Sequence, residues 1–121
     1  MILHSCPQIP DRTSYILGKS GENPFPALAR IGKELMGQGA DVIAIPCVTA
    51  HYFQRKLEEE IEIPILNAVE ETAVCLEEAG VTRAGILATH NMIQVIQYMI
   101  LHYLPPEIIN IYTLRLIRKG T

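Results

Sequence analysis

Cys47 ends the apolar run Val42-Ile43-Ala44-Ile45-Pro46, and a helical pattern begins two residues later at Thr49. A thiol between a strand end and a helix start lies at the positive end of the helix dipole, which favours the thiolate, a form that can act as a base. Arg12 stands in a segment whose motion Pro7 and Pro10 restrict. A guanidinium held in that way suits the grip of a carboxylate through two hydrogen bonds. Thr49 and Thr89 carry hydroxyls that would donate to a ligand or cap a helix equally well. His51 reads as a first-turn helix residue close enough to Cys47 for a Cys–His pairing. His4, His90 and His102 carry weaker signals. Cys75, between Val74 and Leu76, reads as a structural thiol, and Glu58-Glu59-Glu60 and Glu70-Glu71 read as solvated helix faces.

These residues need a frame that gathers strand ends. Residues 1–5 (MILHS) are expected to form a short strand, followed by an extended proline-rich loop through Arg12. Asn23-Pro24 is a helix start, and Phe25, Leu28, Leu35 and Met36 recur at helical spacing until Gly37 and Gly39. Residues 41–46 are a nearly continuous apolar run, as expected of a parallel strand covered on both faces. Residues 49–60 are helical and charged, 63–66 are a second apolar run, and Val69, Thr72, Ala73 and Leu76 form the inner stripe of a helix closed by Gly80. Residues 84–89 read as a further buried strand. Alternation of this kind predicts an α/β fold with an open, mostly parallel sheet and right-handed crossovers, within a single domain over residues 1–121. In such a sheet ligands collect outside the carboxyl ends of the strands, here the loops at 6–13, 47–51 and 89–92.

Residues 92–104 are apolar on almost every side of a helix, which predicts cover from a partner and hence a homo-oligomer. A final helix is expected after Pro105-Pro106, with Arg115, Arg118 and Lys119 at its basic end. The net charge of −3 leaves no basic surplus for a run of phosphates, so nucleic-acid binding is not expected. The apolar stretch at 92–104 is too short and too interrupted by Gln94, Gln97 and His102 to span a bilayer. Three cysteines without metal-type spacing fit reduced thiols in a cytoplasm.

The stretch Gly39-Ala40-Asp41-Val42-Ile43-Ala44-Ile45-Pro46-Cys47-Val48-Thr49-Ala50-His51 resembles the signature of the cofactor-independent aspartate/glutamate racemases, in which a strand ends in Pro-Cys-Asn-Thr-Ala-His. Pro7-Gln8-Ile9-Pro10-Asp11-Arg12-Thr13, Ile63-Pro64-Ile65-Leu66-Asn67, Glu70-Glu71-Thr72 and Gly85-Ile86-Leu87-Ala88-Thr89 follow the family's order, so the resemblance covers residues 2–89. It implies α-proton abstraction from a small acidic amino acid without pyridoxal phosphate, metal or other cofactor. Cys47 would be one acid/base thiol, Arg12 and Thr13 would hold a carboxylate, and Val48, Thr49 and Ala50 would surround the substrate. The resemblance also implies a substrate-facing cation at Arg118 or Lys119. The sequence departs from the family in four places. Val48 stands for the asparagine, and His90-Asn91-Met92 replaces the usual glycine-threonine. The glycine-rich first strand is not found before Met1. The Gly-Cys-Thr-Glu segment that carries the second thiol is also not found. A one-thiol site implies exchange of the α-proton on one face rather than efficient inversion.

Overall fold

A computed structural model of the chain describes residues 1–82 together with 84, 85, 88, 92, 93, 95 and 99. The chain divides into two compact units, Met1–Ala68 and Val69–Thr121.

The first unit begins with an extended segment rather than the expected strand. A strand needs a ladder partner, and residues 1–5 have none: Ile2 and Leu3 are exposed, and His4 turns toward Glu34, Nδ1 to Oε2 at 3.9 Å. The loop that follows is shorter than expected. Asp11 accepts a hydrogen bond from the Ser14 N–H at 2.8 Å and so caps a helix, α1 (Arg12–Ile16). Arg12 therefore stands on the first turn of a helix and not in a free loop.

Helix α2 (Phe25–Gly37) opens where Asn23-Pro24 predicts, with Asn23 Oδ1 accepting from the Phe25 N–H at 3.0 Å. It ends where Gly39 takes a φ of +89°, a left-handed conformation that glycine adopts at no steric cost. Strand β1 (Ile43–Ala44) leads through Pro46 into a 3-10 helix (Val48–Phe53), which continues as α3 (Gln54–Glu60). Strand β2 (Ile65–Leu66) then pairs parallel to β1, with Ile43 opposite Ile65 and Ala44 opposite Leu66. The unit is thus α/β with a parallel sheet, as its sequence predicts.

The core lies on one face of that sheet. Leu28, Ala29, Ile43, Ala50, Phe53, Leu57, Ile61 and Ile65 form one buried cluster. Gly32 lets α2 approach closely, because its missing side chain leaves the space that Ile61 occupies. The other face departs from expectation. Val42, Ala44 and Leu66 are exposed, so the strand is covered on one face and not on both. The reason is that α2 and α3 pack against each other and supply their apolar side chains to the Ile43 and Ile65 side alone.

In the second unit, α4 (Ala68–Glu78) carries Glu70 and Glu71 in its first turn, where the helix dipole favours acids. Gly80, at a φ of +66°, closes it. Its buried stripe is narrower than predicted: Ala73 is buried, Val69 and Leu76 are half-buried, and Thr72 is exposed. Cys75, read as a structural thiol from its place between Val74 and Leu76, is exposed as well. Ala84, Gly85 and Ala88 are not in a strand, and the remainder of the strand expected at 84–89 lies outside the described residues. Met92, Ile93, Val95 and Met99 are helical, with Val95 and Met99 buried. The rest of the helix at 92–104, the final helix and Arg118 lie outside the described residues. No helix among the described residues is long and apolar enough to cross a membrane.

Candidate active site

Cys47 sits at the turn from β1 into the 3-10 helix, with extended backbone angles (φ −148°, ψ 104°) that make it that helix's first cap. Its N–H donates to the Ile45 carbonyl at 2.7 Å and its own carbonyl accepts from the Ala50 N–H at 3.1 Å. The side chain is half-buried.

Among the described residues two side chains reach the sulfur. Arg12 Nη2 donates to Cys47 Sγ at 3.6 Å, and the Thr49 hydroxyl lies 3.3 Å from the same sulfur. The other arm of the guanidinium is anchored, since Nη1 donates to the carbonyls of Pro10 at 3.2 Å and Ile9 at 3.4 Å. The proline-rich loop thus works as a cradle: its fixed backbone turns two carbonyls inward, and these aim Arg12 at the thiol. Arg12 and Tyr15 are one helical turn apart on α1. Tyr15 packs against Phe53 of the 3-10 helix with ring centroids 5.9 Å apart, and Phe53 meets Tyr52 edge-on at 5.1 Å. The aromatic contact joins the helix that carries the cation to the one that follows the sulfur.

The electrostatics of Cys47 follow from this geometry. Burial is the largest single influence and pushes the thiol up, but it is outweighed by the Thr49 hydroxyl, the Ala50 N–H and the Arg12 guanidinium together. The net result is a thiol below its ordinary value, the direction that opposite charge and donated hydrogen bonds produce. The thiolate is therefore easier to form than at an ordinary cysteine, beside a cation at the carboxyl end of a parallel strand.

Of the residues picked from the sequence, Cys47, Arg12 and Thr49 meet at one point. Thr13 follows Arg12 on α1 and is half-buried. Val48 is exposed beside the sulfur, and Ala50 is buried with its N–H on the Cys47 side. Thr89 and Arg118 lie outside the described residues. Cys6 is half-buried.

His51 does not face the thiol as a hydrogen-bond partner. It is fully buried, and its Nδ1 lies 3.0 Å from Gln54 Oε1. Gln54 Nε2 donates to Glu58 Oε1 at 2.7 Å and to the Ile65 carbonyl at 2.9 Å. Two acceptors on the nitrogen fix the amide's orientation, so Oε1 must accept and His51 Nδ1 must carry the proton. Nε2 of the same ring is buried and has no hydrogen-bond partner among the described residues. Gln54 was not foreseen as important. Its spacing of three from His51 is the only sequence signal that links them. Among the described residues no cluster of three or more His, Cys, Asp or Glu side chains is placed to hold a metal ion.

Against known proteins, the profile of the Asp/Glu/Hydantoin racemase family matches residues 1–101. The broad specificity amino-acid racemase RacX of Bacillus subtilis (strain 168) is 36% identical over 56 residues, which cover 46% of this chain and 24% of that protein. The chain therefore aligns with about a quarter of that relative's length.

Proposed function

Because the chain belongs to the Asp/Glu/hydantoin racemase family, we propose that its site at Cys47 removes and returns the α-proton of an amino acid without a cofactor. The observation that carries this reading is the sulfur held between the Arg12 guanidinium and the Thr49 hydroxyl. A thiol must ionise before it can accept a proton, and at this half-buried sulfur the neighbouring donors and cation lower the pKa for that step. Removing an α-proton beside a carboxylate creates negative charge on the enolate oxygens, which needs cationic and N–H stabilisation. Arg12 supplies the cation. It moves its Nη2 from the sulfur to the substrate carboxylate while Nη1 stays on its two carbonyls. Thr13, Val48, Thr49 and Ala50 surround the amino acid, and the family resemblance assigns Arg118 the role of a second cation for a side-chain carboxylate.

Aspartate and glutamate are the proposed substrates, since a second cation suits a second carboxylate. The relative's name speaks of broad specificity, so neutral amino acids belong in the same test. Cys47 attends one face of the α-carbon. Proton removal and return on that face exchange the hydrogen with solvent and retain configuration.

Incubation of the folded chain with L-aspartate, L-glutamate or L-alanine in deuterated water should therefore place deuterium at the α-carbon faster than the enantiomer accumulates. Cys47→Ala should abolish exchange, and Arg12→Ala should slow it on the order of a hundredfold. Absence of exchange from a chain with native far-UV dichroism defeats the proposal.

A further inference from the structure

The 3-10 helix that carries Thr49 runs for six residues, Val48–Phe53, where helices of this kind commonly end after about three or four. It leads without a break into α3. The same residues therefore have an alternative, which is to join α3 as further α-helical turns. The two forms differ in length: at a rise of about 2.0 Å per residue the stretch spans about 12 Å, and at about 1.5 Å it would span about 9 Å. Conversion would draw its start about 3 Å toward α3. The Thr49 hydroxyl, now 3.3 Å from Cys47 Sγ, would leave the sulfur.

Both ends of the stretch are held. At its start the chain arrives from β1 through Pro46, whose ring limits the backbone. At its end stands Gln54, which binds His51 twice: its N–H donates to the His51 carbonyl, and its Oε1 accepts from His51 Nδ1 at 3.0 Å. Gln54 Nε2 donates to the Ile65 carbonyl of β2 at 2.9 Å, and β2 is paired with β1. The contacts close a ring that runs from β1 through the 3-10 helix and Gln54 to β2 and back to β1. Gln54 is 3% exposed and His51 is 0% exposed, so water does not compete for these bonds and each is costly to lose. Glu58 Oε1 takes the other proton of the amide at 2.7 Å and fixes its orientation.

We propose that Gln54 is a positioning residue for Cys47: by tying the end of the 3-10 helix to β2 it keeps that helix in its longer form, and so keeps the Thr49 hydroxyl on the sulfur. This rests on the reading of Cys47 as a base only for what the positioning serves. The test follows ionisation of the sulfur and not exchange of a substrate proton, so either can fail without the other. Its readout is the pH midpoint of iodoacetamide reaction at Cys47 in the folded full-length chain. Gln54→Met keeps the size of the side chain and deletes its polar atoms. It should raise the midpoint by about half a pH unit or more, the scale of a weakened hydrogen bond to a charged sulfur. In a Thr49→Val background the same change should add nothing, because the effect passes through Thr49. Leu28→Ala, which opens the core from α2 and leaves the tie intact, should not move the midpoint. Gln54→Met strands a buried His51 N–H, so the second variant is His51→Phe with Gln54→Met, which removes donor and acceptor together and should raise the midpoint alike. An unchanged midpoint in variants with native far-UV dichroism, additive effects of the Thr49 and Gln54 changes, or an equal rise in Leu28→Ala overturns the proposal. So does failure of both Gln54 variants to fold, since Gln54 then serves the core as a whole.

Discussion

The thiol at position 47 owes its character to three neighbours, and each can be removed alone. Thr49→Val keeps the shape of the side chain and deletes the hydroxyl 3.3 Å from the sulfur. Arg12→Ala deletes the cation. The midpoint of iodoacetamide reaction at Cys47, followed by mass spectrometry against pH, should lie lower in the folded chain than in the chain unfolded in urea. Both substitutions should raise the folded midpoint. The sign follows from the direction of the shift: a thiol depressed on folding adds stability as pH rises from its folded value toward its unfolded one. A folded midpoint equal to the unfolded one would remove the basis for a thiolate base. At this scale the sequence was largely legible. The positions of Cys47 at a strand end and of Arg12 just after Pro7 and Pro10 pointed to the pair, because proline and helix-start signals are local. Thr49 was equally readable as a cap. The Ile9 and Pro10 carbonyls that aim Arg12 were not legible, since backbone direction depends on angles that residue types do not state.

Among the elements, α1 was missed because five residues show too little periodicity to register as a helix. The cap that nucleates it was in plain view as Asp11, three before Ser14. The Asp11 carboxyl lies below its usual range, chiefly through Ser14. Its contribution to stability is therefore full above the unfolded value and is lost as pH falls through the lower folded value. Asp11→Ala should cost about 1 kcal/mol in urea unfolding at neutral pH, and the cost should vanish in strong acid. The same substitution should lower Cys47 alkylation near neutral pH, since Arg12 loses its platform. Residues 1–5 show the opposite error. MILHS has strand composition, but pairing requires a neighbour, and composition cannot report whether one is present. The exposed Val42, Ala44 and Leu66 likewise follow from which side two helices choose.

For the molecule as a whole, the alternation of apolar runs with helical patterns predicted the α/β class, because a parallel pair forces a helical crossover between its strands. What it could not predict was how little sheet would form in the first unit. Among the described residues two strands of two residues each are paired, and the first unit draws its stability from the cluster around Leu57 and Phe53 instead. Leu57 is 1% exposed and sits where α3 meets α2 and the sheet. Leu57→Ala should lower stability by about 2–5 kcal/mol. The midpoint in urea should fall with little change in slope. A loss below 1 kcal/mol, the scale of a surface change, would mean that the cluster is not the unit's core.

The contact between Arg12 and the sulfur has one more consequence. A charged, solvent-reachable thiolate is the form that peroxide attacks, giving first a sulfenic acid and then higher oxides that thiols do not reverse. Cys47 should therefore gain oxygen before Cys6 or Cys75 when the protein ages in air. A preparation so aged would keep its fold and lose the alkylation of Cys47, and reductant added early would restore it where reductant added late would not.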